Sequence, residues 1–203
     1  MGNLPRGLGA YFLTTLSAGP ILSPARPHLT SGDSRVPDRS SVTAPRIARL
    51  PITHPDSQLL VEAVQEEYVA RYGGRDESPV DPAEFEDPLG QFFVGYLDGA
   101  PVATGAWRRS SVRALGAEVT AEVKRMYVVP AAQRRGLARR MLAHLEATAA
   151  EARVEALVLE TGMKQPEAIA LYTSSGYEPV PGFGYYSGSD LSRCFGRRLT
   201  CGS

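Results

Sequence analysis

The chain has 203 residues, with 22 Lys plus Arg against 22 Asp plus Glu, a formal net charge of zero. A balanced charge gives no general attraction to nucleic acid or to an anionic membrane, and no apolar run approaches the roughly 20 residues that span a bilayer. An apolar share of 43% and a charged share of 22% are those of a soluble globular protein, long enough for one domain with a core and a tail.

Residues 1–45 stand apart from the rest. They are dense in Pro, Ser, Gly and Arg, with Asp33 and Asp38 as the acids. Such a segment cannot bury enough apolar surface to offset its ordering entropy, so a disordered tail is expected. An organelle leader and a start codon set too far upstream are the other readings. Ala10 to Leu16 is too short and too interrupted for a signal sequence. The tail holds four arginines and two acids; taking these from the totals leaves 18 basic and 20 acidic residues for a mildly acidic domain over 46–203.

Ile47 to Leu50 reads as a short first strand. His54-Pro-Asp-Ser turns into a helix carrying Leu59, Leu60, Ala63, Val64 and Tyr68, stopped by Gly73-Gly74. His54 at this turn reads as a surface residue. Arg75 to Asp87 is acidic, with Asp76, Glu77, Asp81, Glu84, Glu86 and Asp87. It reads first as a solvated loop and second as an attractor for a cationic amine.

Gln91 to Leu97 is a strand, Asp98-Gly99 a hairpin turn, and Val102 to Arg109 the partner strand, where Trp107 packs or lines an acceptor site. Glu118 to Val129 is the next strand, ended by Pro130, which has no N–H for a ladder. Ala131 to Arg135 is a loop, and Gly136 to Arg153 a helix with Leu137, Met141, Leu142 and Leu145 on one face. Val154 to Thr161 is a buried strand; strand, helix, strand implies a right-handed crossover between parallel strands. Pro166 begins a last helix, ended near Gly176. A final strand pair, Tyr177 to Val180 and Cys194 to Leu199, leaves an exposed last strand that can pair across a homodimer. Cys194 and Cys201 lack metal spacing and read as free thiols in a reducing, cytoplasmic setting.

The chemistry concentrates at Glu122 to Arg140. A basic loop that enters a helix offers backbone N–H groups and arginines to an anion. Gly136 allows close approach of a phosphate. The spaced glycines and the Gly-Lys-Ser/Thr ending of a nucleoside-triphosphate loop are missing, as is the three-glycine dinucleotide fingerprint.

The loop resembles motif A of the GNAT superfamily of acyl-CoA-dependent N-acyltransferases, Gln/Arg-x-x-Gly-x-Gly/Ala, with Gln133, Gly136 and Ala138 in its fixed positions. Gln165 to Tyr177 resembles the second signature of that family through Ala168, Tyr172, Gly176 and Tyr177, with Gln165 nearest to the expected Asn. The resemblance covers residues 46 to about 200. It implies an α/β fold with a mixed, mostly antiparallel sheet, a V-shaped split between the fourth and fifth strands, and helices on both faces.

It also implies acetyl-CoA as co-substrate, no metal, and an amine acceptor, with neither nucleic acid nor membrane as partner. The pyrophosphate would rest on Gln133, Arg134, Arg135, Gly136, Leu137, Ala138 and Arg139, with Gln165 nearby. The pantetheine arm would pair with the main chain of Met126, Tyr127 and Val128. Glu122, or more weakly Glu118, would relay the amine proton, and Tyr172 would protonate the departing thiolate. The alternative is a non-catalytic acyl-CoA-binding or regulatory module.

Overall fold

The computed structural model describes residues 45–200; the tail expected over 1–45 lies almost wholly outside them, as does Cys201. In chain order the elements are β1 (Arg46–Arg49), α1 (Pro55–Tyr72), a 3-10 turn (Pro82–Phe85), β2 (Gly90–Leu97), β3 (Ala100–Ser110) and β4 (Thr120–Val128). A second 3-10 turn (Pro130–Ala132) leads to α2 (Leu137–Glu151), β5 (Ala156–Gly162), α3 (Pro166–Ser174), β6 (Glu178–Pro179) and β7 (Ser192–Arg198). The seven strands form one sheet in the order β1-β2-β3-β4-β5-β7-β6. Only β4 and β5 run parallel among them.

Local signals fix most boundaries. His54 Nδ1 accepts from the Asp56 N–H at 3.2 Å, and Pro55 occupies the first turn, where a missing N–H costs nothing. Gly73, at φ 81°, turns the chain out of α1. Asp98 and Gly99 both have positive φ, 50° and 80°, the hairpin geometry that matches sheet twist.

Neighbouring residues of β2 send side chains to opposite faces. Phe92 and Val94 pack with Leu60 of α1, Phe85 and Ala106. Phe93 packs on the other face with Trp107, Met141, Leu142 and Leu145, so α1 and α2 cover opposite faces. Trp107 is fully buried, and its indole N–H donates to Thr148 Oγ1 at 3.1 Å; it packs in the core.

The feature that positions the site is the parting of β4 from β5. Their register runs only from Thr120↔Ala156 to Val123↔Leu159. Beyond it β4 continues to Val128 beside β3, while β5 continues to Gly162 beside β7. The cause is a bulge: Thr104 pairs with Tyr127 and Ala106 with Lys124, so Arg125 and Met126 together oppose Gly105. Arg125 takes φ 55° there. A Cβ on Gly105 would lie 2.8 Å from both Met126 Sδ and Met141 Cγ, so any other residue would have to displace both methionines.

The end of the chain differs from expectation. The last strand, β7, inserts between β5 and β6, and the sheet edge is the two-residue β6. β6 pairs with β7 only at Phe195 and Gly196, so the ends of β7 keep an open side. The loop before β4 closes on an Ala114↔Ala117 bridge, with Leu115 and Gly116 at φ 56° and 69°. Glu118 falls outside β4 and is exposed.

Candidate active site

Two neighbouring features make up the site: the loop into α2 and the cavity inside the split. In the loop, Arg134 and Gly136 have positive φ, 58° and 78°, which turns the backbone so that Leu137 begins α2. The first helical bond belongs to the Arg140 N–H, which donates to the Gly136 carbonyl at 3.1 Å. Among the described residues, no N–H from Arg134 to Arg139 donates to a backbone carbonyl. Such a row of orphan donors at the positive end of a helix is an anion site.

Arg134 and Arg135 are exposed and in no ion pair among the described residues. Arg139 instead reaches α3, donating to Ser174 Oγ at 2.8 Å and Ser175 Oγ at 3.3 Å. Gln133 folds back and donates from Nε2 to the Val128 carbonyl at 3.0 Å. The Val129 N–H bonds to Val102, so Val128, one residue earlier, turns its main chain away from β3. Its N–H therefore faces the split.

The cavity measures about 470 Å³. One wall is β4 from Val123 to Met126, and the other is β5 from Glu160 to Gly162. Tyr68 and Tyr72 of α1, Asp76 of the following loop, Tyr172 of α3 and Tyr186 complete it. Met126 lines the cavity, whereas Tyr127 packs its ring on the opposite face with the α1 core. Gln165 stands at the start of α3, where its Oε1 accepts from Thr161 Oγ1 at 3.2 Å and from the Gly162 N–H at 3.3 Å. Tyr172 is buried against the cavity, and burial pushes its phenol far above the usual tyrosine value. Burial likewise pushes Tyr68 up to about 12.

Glu122 stands outside this lining. Its Oε2 accepts from Arg108 at 3.0 Å and its Oε1 from Lys124 at 3.2 Å, and Arg108 also pairs with Glu84. Glu118 is further away, its N–H held by Glu155 at 2.9 Å. Three carboxylates do line the cavity, Asp76, Glu77 and Glu160, and the last was passed over by the sequence reading inside a buried strand. Ser192 donates to it at 2.5 Å. Burial pushes its pKa up, partly opposed by the Ser192 hydroxyl and by the nearby charge of Lys124. The available signal was a carboxylate that follows the apolar run Ala156 to Leu159.

The acidic loop divides. Asp81 caps the 3-10 turn, accepting from the Ala83 N–H at 3.0 Å, and Asp87 pairs with Arg49 at 2.6 Å. Asp76 and Glu77 reach the cavity. Asp76 pairs with Arg125 and accepts from the Ser78 N–H at 3.0 Å and Tyr186 Oη at 3.2 Å. Burial raises its pKa, but the Ser78 and Arg125 bonds outweigh burial and hold it below the ordinary value. Asp76 thus ties the loop after α1 and the loop before β7 to the bulge. The described residues contain no group of three or more His, Cys, Asp or Glu suited to a metal. None of their helices is long and apolar enough to cross a membrane.

The arrangement can grip a phosphate at the helix mouth, admit an extended chain between β4 and β5, and set a buried phenol and a carboxylate beside it. Comparison with known proteins agrees. The model of the acetyltransferase (GNAT) family matches residues 60–177. An IAA acetyltransferase of Azospirillum brasilense is 37% identical over 102 residues, 50% of this chain and 63% of that protein. The match thus spans less than two thirds of that relative.

A solved structure from Klebsiella pneumoniae subsp. pneumoniae MGH 78578, provisionally named an acyl-CoA N-acyltransferase, has a TM-score of 0.63 at 28% identity, covering 77% of this chain and 98% of that one. The ribosomal-protein-S18-alanine N-acetyltransferase of Escherichia coli shares the fold with a TM-score of 0.53 at 20% identity, covering 79% and 97%. The family match takes in more than half of the residues, including the helix-mouth loop and the split, and the chain belongs to the acetyltransferase (GNAT) family.

Proposed function

We propose that the chain transfers an acyl group, acetyl first among them, from acyl-CoA to a primary amine by direct attack in a ternary complex. The observation that carries this reading is the pair of adjoining features: unpartnered N–H groups from Arg134 to Arg139, and a split that leaves one edge of β4 unpaired beyond Val123. Acyl-CoA supplies a diphosphate for the first and a thioester on an extended arm for the second. Arg134, Arg135 and the amides through Ala138 and Arg139 hold the diphosphate. The main chain of Met126 and Val128, turned to the split, pairs with the arm, and an N–H there polarises the thioester carbonyl.

The acceptor enters mostly as an ammonium, since alkylamine pKa values lie near 10.4. One proton must leave before attack. A second leaves as the C–N bond forms and the C–S bond breaks, and the sulfur gains one proton. Tyr172 donates that proton, because a phenol raised by burial is protonated throughout the neutral range. It is restored from the second amine proton, and one proton in net reaches solvent.

Asp76 is held by Arg125 and Glu77 is exposed at the rim, which leaves Glu122 and Glu160 to weigh as the base. Glu122 occupies the position that the resemblance gives to the base, and it meets the cavity only through Lys124. Glu160 lines the cavity with no cation within bonding distance among the described residues. Glu160 takes the proton in this reading, with Glu122 as the relay if it is reached through water. The buried free thiol of Cys194 suits the cytoplasm.

Mixing the purified chain with acetyl-CoA and a panel of amines and following thiol release tests the reading. Turnover that Tyr172→Phe lowers about a hundredfold or more supports it. CoA binding without turnover of any amine replaces it with a binding module.

A further inference from the structure

The cavity keeps one cation and one carboxylate in unequal states. Arg125 is only 7% exposed, yet it lines the cavity. Its Nη1 donates to Asp76, while its Nε is a buried donor with no partner. Native interiors rarely leave such a donor unmet, so each case calls for an explanation. The backbone under it is also unusual: a bulky side chain at φ 55°, a conformation that survives where the surroundings impose it and that gathers at ligand sites.

With Nη1 occupied, the side of the guanidinium formed by Nε and Nη2 is the one left over. Nε is closed to solvent, so Nη2 is the donor left to a ligand, and a guanidinium N–H suits a carboxylate. Across the split stands Glu160, whose bond at this point is from the Ser192 hydroxyl. The other charges of the lining are matched: Arg75 with Glu62 at 2.7 Å and Lys124 with Glu122 at 3.2 Å. Glu77 is exposed at the rim.

We infer that the acceptor is a small amino acid or other amino-carboxylate, its carboxylate on Nη2 of Arg125 and its amino group toward Glu160. The two poles sit on β4 and β5, the opposite walls of the split, so a bound zwitterion lies across the opening where the thioester arm enters. The tyrosines at positions 68, 72 and 172 close an apolar side around its middle. A space of about 470 Å³, shared with the end of the arm, limits the acceptor to a small molecule. The inference rests on the N-acyl-transfer reading and narrows its acceptor.

Paired acceptors test it. Each of several amino acids is compared with its own carboxamide by thiol release from acetyl-CoA, using the full chain. The amide has the less basic amine and the larger free-base fraction, so chemistry alone favours the amide. The expected result is a kcat/KM about tenfold or more higher for the acids, carried mainly by KM. Arg125→Gln lowers kcat/KM for both members of each pair but far more for the acids, so the preference is lost, and Arg125→Lys restores part of it.

A fall of equal size on both members of each pair would make Arg125 a latch for Asp76 alone and overturn the inference. So would equal turnover of acids and amides by the unaltered chain, which decides the matter even if the variants do not fold; both results leave N-acyl transfer standing. If no amine, acid or amide, stimulates thiol release, the inference and that transfer reading fall together.

Discussion

At the scale of single residues, burial sorts the ionisable groups by role. Glu160 is lifted by burial above the ordinary glutamate value near 4.5. A base works only when deprotonated, so kcat/KM is predicted to fall as pH falls through a pKa above that value. Glu160→Gln should lower the rate and flatten this limb, while Glu122→Gln keeps its shape; a pH–rate profile of each variant decides between the two carboxylates. Asp76 behaves in the opposite sense. Its folded pKa is depressed, so its stabilisation is complete above the unfolded value and is lost as pH falls through the folded one. Asp76→Asn should cost about 3 kcal/mol at neutral pH, because it leaves the buried Arg125 guanidinium unpaired, and the deficit should shrink in strong acid. Chemical denaturation at several pH values measures both.

At the scale of elements, the bulge in β4 creates the site, and one glycine permits the bulge. Gly105→Ala would push a methyl into Met126 and Met141; a loss of about 1–3 kcal/mol is expected, read as a lower denaturation midpoint. Much of this level was legible in the sequence. The Asp98-Gly99 turn, the Gly73 stop and the apolar face of Leu137, Met141, Leu142 and Leu145 are local signals, and each element they predicted is present. The strand beginning at Ala156 and the helix beginning at Pro166 were legible for the same reason. What depended on distant partners was not. Nothing local tells that β7 inserts beside β5, that Arg125 meets Asp76 across 49 positions of sequence, or that Glu160 rather than Glu122 faces the cavity. A strand pattern gives alternation, but which face borders a cavity depends on where the neighbouring strand departs.

At the scale of the whole molecule, the crossover from β4 through α2 to β5 links the helix-mouth loop to the split. Val128 ends the open edge of β4, Gln133 ties that end to the loop, and the unpartnered amides begin within one residue of Gln133. Arg139 then fastens α2 to the end of α3, the helix that carries Tyr172. In the proposed reading, a diphosphate on the loop would thereby be set in register with the phenol and the split. The claim on which everything else depends is that grip, and titration calorimetry with CoA measures it most directly. The account predicts saturable binding by the unaltered chain, weakened at least tenfold by the Arg134→Glu, Arg135→Glu double variant and weakened further by added salt. An unaltered chain with no affinity for CoA, or a double variant that binds it equally well, would contradict the account.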